Sequence, residues 1–295
     1  MEDYFSIIRS RDRAAKNDSF FDLLSLEDKF CYETIHNRFC KSILGLKKTS
    51  CNISAKSELG RFSLASFIKR QVLLYFCRLN QNDINPLLKE AYELSKNIHK
   101  DGCYTWYSFS NSIFQELGLD IIDYESFGDA FNKIKNNLKS KFNNVISEHY
   151  KEKTLNKLSS LSENSKLFLY SQLKTEFKME DYLVNQPFKI RQQITKFRVS
   201  DHTLEIETGR YKNLPRNQRF CKFCHEHKTE DELHFFIHCM KYSNIRSTLF
   251  KSISDFKPNF LEIEPAQQLI IILSPENELL PFINDFIKRS LELRR

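Results

Sequence analysis

Four residues inside a nineteen-residue window constrain this chain more than any other feature: Cys221-x2-Cys224-x9-His234-x4-Cys239. Two cysteines three apart can turn both thiolates onto one ion through a tight turn, and a later His–Cys pair can close a tetrahedral set. Four protein ligands leave no open coordination position, so the spacing predicts one structural Zn²⁺. Thr229-Glu230-Asp231-Glu232 reads as a capping box, with Thr229 as N-cap and Glu232 reaching back. It puts His234 in the first turns of a short helix and Cys239 near or just beyond its end. His238, four residues after His234, is the alternative fourth ligand, because that spacing shares one helical face. Cys239 is preferred, since thiolate is the stronger zinc ligand. His225 and His227, in the loop between the pairs, read as solvent-facing. Cys31, Cys40, Cys51, Cys77 and Cys103 show no ligand spacing and mostly read as small core residues.

The rest of the chain points to helices. It has 295 residues, 41% of them hydrophobic, with 26 Phe against six Gly and seven Pro. Turn formers are too sparse for a many-stranded β fold. The expected fold is mainly α, a multi-helix bundle with a small CCHC zinc knuckle near the C-terminus. Apolar periodicity places helices over 20–46, ended by Gly45, and over 57–79, with a loop over 47–52 between them. Further helices fall at 86–98, opened by Asn85-Pro86, at 104–117, ended by Gly118, and at 127–150. Others fall at 164–176, 188–198, 230–252 and 265–294, the last interrupted at Pro275. The 127–150 segment lines up Phe131, Ile134, Leu138, Phe142, Val145 and His149. Its other face carries Lys133, Lys135, Lys139 and Lys141, which reads as a solvated surface.

Charge is concentrated. Residues 185–225 hold Lys189, Arg191, Lys196, Arg198, Arg210, Lys212, Arg216, Arg219 and Lys222 against Asp201, Glu205 and Glu207. That excess of six is nearly all of the chain's +7, and it predicts a polyanionic partner, RNA or DNA. Tyr211 and Phe220 are candidates to stack on unpaired bases; packing against the metal loop is the plainer expectation for Phe220. Arg210 is equally placed to pair with Glu205 or Glu207. No apolar run approaches the roughly 20 residues a bilayer needs, and the first thirty residues lack an apolar signal core. The expectation is an intracellular protein, nuclear or cytoplasmic, with thiols or metal ligands rather than disulfides and no small-molecule substrate.

Residues 195–211 (TKFRVSDHTLEIETGRY), 215–224 (PRNQRFCKFC) and 230–239 (EDELHFFIHC), then Lys241-Tyr242 and Arg246, resemble the C-terminal part of the reverse transcriptases of animal non-LTR (LINE-type) retrotransposons, including their zinc-binding domain. More weakly, FCKSIL (39–44), Gly45-Leu46-Lys47-Lys48 and ELGRF (58–62) resemble the segment after the polymerase palm in those proteins. The resemblance implies zinc ligation by Cys221, Cys224, His234 and Cys239, and a basic run that grips template RNA or target DNA. It suggests a post-palm helical region over 1–125, a helical linker with a basic face over 126–210, a zinc module over 211–250 and C-terminal helices over 251–295. The chain departs from that family in having no adjacent aspartates, so the carboxylate cluster that would hold Mg²⁺ for nucleotidyl transfer is missing. Ser200-Asp201-His202 matches a triplet in the endonuclease of such elements, yet the supporting motifs of that site are absent. The expectation is therefore a non-catalytic, nucleic-acid-binding fragment. A zinc-stabilised protein-interaction scaffold and a retroelement relic without a role are the alternatives.

Overall fold

The computed structural model describes residues 31–81, 84–125, 131–184 and 186–294. It is mainly helical. Among the described residues no strand forms; the isolated bridges Leu59 to Met179 and Phe220 to Thr229 are the extended pairings there. The described residues divide into two compact units, one drawn from residues 31–36 and 62–150, the other from residues 37–61 and 151–294.

Helix α1 (Cys31–Leu44) ends where expected, with Gly45 at φ +65° and the Leu46 N–H returning to the Lys41 carbonyl. Only a left-handed residue closes a helix this way at low cost. The part of the predicted first helix before residue 31 lies outside the described residues. The single helix expected over 57–79 is two elements: α2 (Asn52–Glu58) and α3 (Leu64–Leu79). Gly60 separates them at φ +58°, where a Cβ would fall 2.5 Å from the Met179 nitrogen. Close backbone approach, invisible to periodicity, thus breaks the helix.

The first unit continues with α4 (Pro86–Lys100), whose Leu87 N–H is capped by the Asn85 side chain, and α5 (Trp106–Glu116), capped by Thr105 and followed by left-handed Gly118. Helix α6 (Phe131–Ser159) runs nine residues past its predicted end. Phe76, Phe114, Tyr124 and Phe142 form a relay of buried rings at centroid spacings of 5.0–5.3 Å. Each buried side chain of this kind contributes about 1.5–3 kcal/mol.

In the second unit come α7 (Phe168–Leu173), α8 (Phe188–Arg198) and α9 (Glu205–Tyr211). Helix α9, short and glycine-containing, has too few turns to register as a period. The helix expected over 230–252 is instead a π-helical turn at His234–His238, a 3₁₀ turn at Met240–Tyr242 and α10 (Ser243–Phe256). Helices α11 (Pro265–Leu273) and α12 (Leu280–Glu292) flank the predicted interruption at Pro275. Phe197, Phe235, Phe236 and Phe286 are all buried and in ring contact, with Phe197 to Phe235 at 5.2 Å and Phe235 to Phe286 at 5.6 Å. This core holds the π-helical turn from behind.

Candidate metal centre

Cys221, Cys224, His234 and Cys239 come together: their ligand atoms all lie within 4.8 Å of one another, so the group can hold a metal ion. Cys221 Sγ is 3.9 Å from Cys239 Sγ, and Cys224 Sγ is 3.4 Å from His234 Nε2. Two local devices build this. The Cys221 N–H donates to the Lys228 carbonyl and the Glu230 N–H to the Arg219 carbonyl, pinning both ends of the loop that carries the first pair. His227 turns that loop at φ +51°. The second pair is joined through the wide turn itself, since the Cys239 N–H donates to the His234 carbonyl at 2.7 Å.

The capping box does not form. Asp231 accepts from the His234 N–H at 2.8 Å, while Thr229 sits in the bridge with Phe220. Glu232 is drawn away to His202 Nε2 at 2.8 Å and the Ser200 hydroxyl at 3.1 Å. A buried imidazole and hydroxyl together outcompete a single backbone N–H for the carboxylate. His238 is exposed and Cys239 buried, and Cys239 is the one in the cluster. His225 and His227 are exposed, as expected.

The thiols respond to each other. Cys221 is pushed up to about 12 by its bond to Cys239 and by burial, whereas Cys239 is held below the usual thiol range by accepting that bond. Burial also raises Cys224. His234 Nδ1 is buried with no hydrogen-bond partner among the described residues. Of the other cysteines, Cys40 and Cys77 are core residues, whereas Cys103 is exposed.

Residues outside the predicted ligand set brace the cluster. Glu230 is fully buried. It accepts from the Glu205 N–H at 2.8 Å and the Cys221 thiol at 3.5 Å, and it is clasped by Arg294. The same Arg294 guanidinium lies 4.3 Å from the Phe223 ring centroid, and Arg246 donates to the Cys239 carbonyl at 2.9 Å. Buried acids and arginines in a polar-looking stretch carry no spacing that would separate them from surface charge.

The nine basic residues scatter in role. Arg198 leaves the set expected to face a polyanion, because its guanidinium is fully buried and divided between Glu58, Glu180 and the Leu273 carbonyl. Burial alone would weaken its charge, but Glu58 restores it, and its pKa stays above the ordinary value. Arg191 donates to the Leu183 carbonyl, and Arg219 to those of Ile206 and Leu214. Arg210 pairs with Glu207 at 3.0 Å, Lys222 with Glu205 at 2.7 Å, and Arg216 reaches the Glu163 carbonyl and Asp231. Lys189, Lys196 and Lys212 have no acid partner within ion-pair distance among the described residues. Tyr211 and Phe220 are exposed, Phe220 with its ring edge-on to His227 of the metal loop at 6.3 Å; Arg210 lies 4.8 Å over the Tyr211 ring.

Ser200, Asp201 and His202 are buried, with Asp201 accepting from the Lys47 N–H and His202 stacked on Phe197. No described helix is long and apolar enough to cross a membrane. Compared with family models, with curated proteins and with solved structures, the chain shows no match.

Proposed function

We propose that the four-residue cluster holds one structural Zn²⁺, and that the exposed strip over 210–222 binds the backbone of RNA or DNA without base-level specificity. A tetrahedral zinc with bonds of about 2.3 Å to sulfur and 2.0–2.1 Å to nitrogen needs S···S edges near 3.8 Å and S···N edges near 3.5 Å. The 3.9 Å and 3.4 Å separations match those edges. Four protein ligands fill the shell, so the ion's work is to fix the fold.

The strip carries the nucleic-acid reading. Arg210, Lys212, Arg216 and Lys222 are all exposed, interleaved with the exposed rings of Tyr211 and Phe220, and the strip runs directly into Cys221. Side chains already paired at the surface exchange acceptors cheaply: Lys222 is 59% exposed in its pair with Glu205, and such pairs are worth about 1 kcal/mol or less. The resemblance to the zinc-binding end of LINE-type reverse transcriptases supports the same partner and suggests a fragment without polymerase or nuclease chemistry.

A titration of the zinc-loaded protein with single-stranded RNA, single-stranded DNA and duplex at several salt concentrations tests this. Affinity should fall with salt by about 0.7 log units per log unit for each phosphate contact on single strands. Arg216→Glu with Lys222→Glu should weaken all sequences alike. Cys221→Ser should lose the zinc, read by metal analysis, and His238→Ala should keep it. The internal use of Arg191, Arg198 and Arg219 favours a second reading, a zinc-stabilised protein-interaction scaffold; salt-independent or absent binding would select it.

A further inference from the structure

Beside the metal cluster lies a cavity of about 490 Å³, within the roughly 300–1,000 Å³ usual for small-ligand sites. Its walls come from four separate stretches of the second unit: Lys47; Gln193, Lys196 and Phe197 of α8 with His202 just beyond it; Phe223; and Arg294. Phe223 stands between the two cysteines of the first pair, so metal binding fixes that wall.

Of the three lysine and arginine side chains around it, one lacks an acid partner. Lys47 lies 3.6 Å from Asp201, whose carboxylate also accepts the Lys47 N–H, and Arg294 is committed to Glu230. Lys196 has no acid partner within ion-pair distance among the described residues. A single unpaired lysine suits a phosphodiester, which carries one negative charge, better than a terminal phosphate with nearly two. The ring that can present a face is Phe223, half-buried and backed by Arg294; Phe197 and His202 are buried and stacked on each other at 5.0 Å, closing the floor. Every base offers a π-face to such a ring. The Gln193 carboxamide and the Thr203 hydroxyl line the same cavity, and neither has a side-chain hydrogen bond within the described structure. Both are free to meet a base edge.

We propose that this cavity accepts one unstacked nucleotide of a strand, its phosphodiester at Lys196 and its base against Phe223. The proposal rests on the nucleic-acid reading above but uses residues outside the exposed 210–222 strip. It turns uniform backbone binding into capture of a splayed base.

The test uses the full zinc-loaded chain and, as probe, a dinucleoside monophosphate, with a nucleoside and inorganic phosphate as controls. Binding followed by calorimetry or NMR should be seen with the dinucleoside monophosphate and be much weaker with either control. Lys196→Glu should weaken it by about tenfold or more, and Phe223→Leu, checked for retained zinc, should weaken it as well. Arg216→Glu with Lys222→Glu should leave this short probe unaffected while weakening long strands. Long strands that bind while the dinucleoside monophosphate does not would overturn the cavity and leave the strip standing. Inorganic phosphate binding equally well would reduce the site to an anion hole and overturn the nucleotide assignment. Binding of the short probe without any long-strand binding would remove the strip and overturn capture from a strand.

Discussion

Two regions of this molecule carry clustered positive charge, and the structure treats them in opposite ways. Between Lys189 and Lys222, six of nine cations are spent on internal acceptors: Glu58 and Glu180 for Arg198, Glu207 for Arg210, Glu205 for Lys222, and carbonyls for Arg191, Arg216 and Arg219. On α6, Lys133, Lys135, Lys139 and Lys141 are all exposed, and none is in an ion pair among the described residues. The first region is rich in arginine and the second has lysine alone. Arginine's fixed fork of donors suits several carbonyls and carboxylates at once, whereas lysine keeps its hydration at a surface. Charge counts alone therefore hide availability, and arginine content is the better warning that a basic run holds a fold together.

The sharpest break in that comparison is at Arg198. Arg198→Met should destabilise the protein by about 3–5 kcal/mol, because it leaves the fully buried Glu58 without its partner. Denaturant unfolding of that variant, beside Arg198→Met with Glu58→Gln, provides the check; the double variant should recover part of the loss. A loss below about 1 kcal/mol would mean that the buried pair behaves like a surface one.

Gly209→Ala should come next. A Cβ there would lie 2.7 Å from Arg219 Cγ, displacing the guanidinium from the Ile206 and Leu214 carbonyls. A loss of about 1–3 kcal/mol is expected, together with weaker zinc retention, because Arg219 also accepts the Glu230 N–H through its carbonyl. An unchanged unfolding midpoint would show that Arg219 is as replaceable as a surface lysine. For the lysine face itself, Lys135→Glu with Lys139→Glu should stay within about 0.5 kcal/mol per site of the parent. A larger loss would reveal internal work by that face and erase the contrast.

The smallest effect concerns pH. Burial would raise the Glu205 carboxyl, but Lys222 outweighs it and holds Glu205 below the ordinary carboxylate value of 4.5. A depressed folded-state pKa contributes stability that is present above the unfolded value and lost as pH falls through the folded one. The contribution should be under about 1 kcal/mol because Lys222 is largely exposed. Glu205→Gln should accordingly flatten the acid side of the stability profile slightly. A profile identical to that of the parent would show that this pair adds nothing.

What could be read from sequence divides along similar lines. The helix ends at Gly45 and Gly118 and the cap at Asn85 were visible because each is a local backbone requirement met by a local residue. The metal cluster was visible because ligand chemistry fixes both residue type and spacing. The split at Gly60 was missed, since it depends on the backbone of Met179 more than a hundred residues away. The capping box failed for a related reason: Glu232 satisfies the local pattern, yet His202 and Ser200, thirty residues upstream, bind it instead. Arg198 was read as a surface cation because its partners Glu58 and Glu180 lie in other elements. Local signals held wherever no distant group competed for the same atoms.

The π-helical turn between His234 and His238 lets a metal site and a core share one short stretch of chain. A bond from the Cys239 N–H to the His234 carbonyl spans one residue more than an α-helical one, and five residues of such a turn subtend about the same angle as four of an α-helix. His234 and Cys239 therefore stay on one face while Phe235, Phe236 and Ile237 are all buried between them. Deleting one of those three residues should leave the ligands facing each other and take a side chain out of the core, so packing should suffer before metal retention. Inserting a residue should instead swing Cys239 by roughly a quarter turn away from His234 and cost the metal itself.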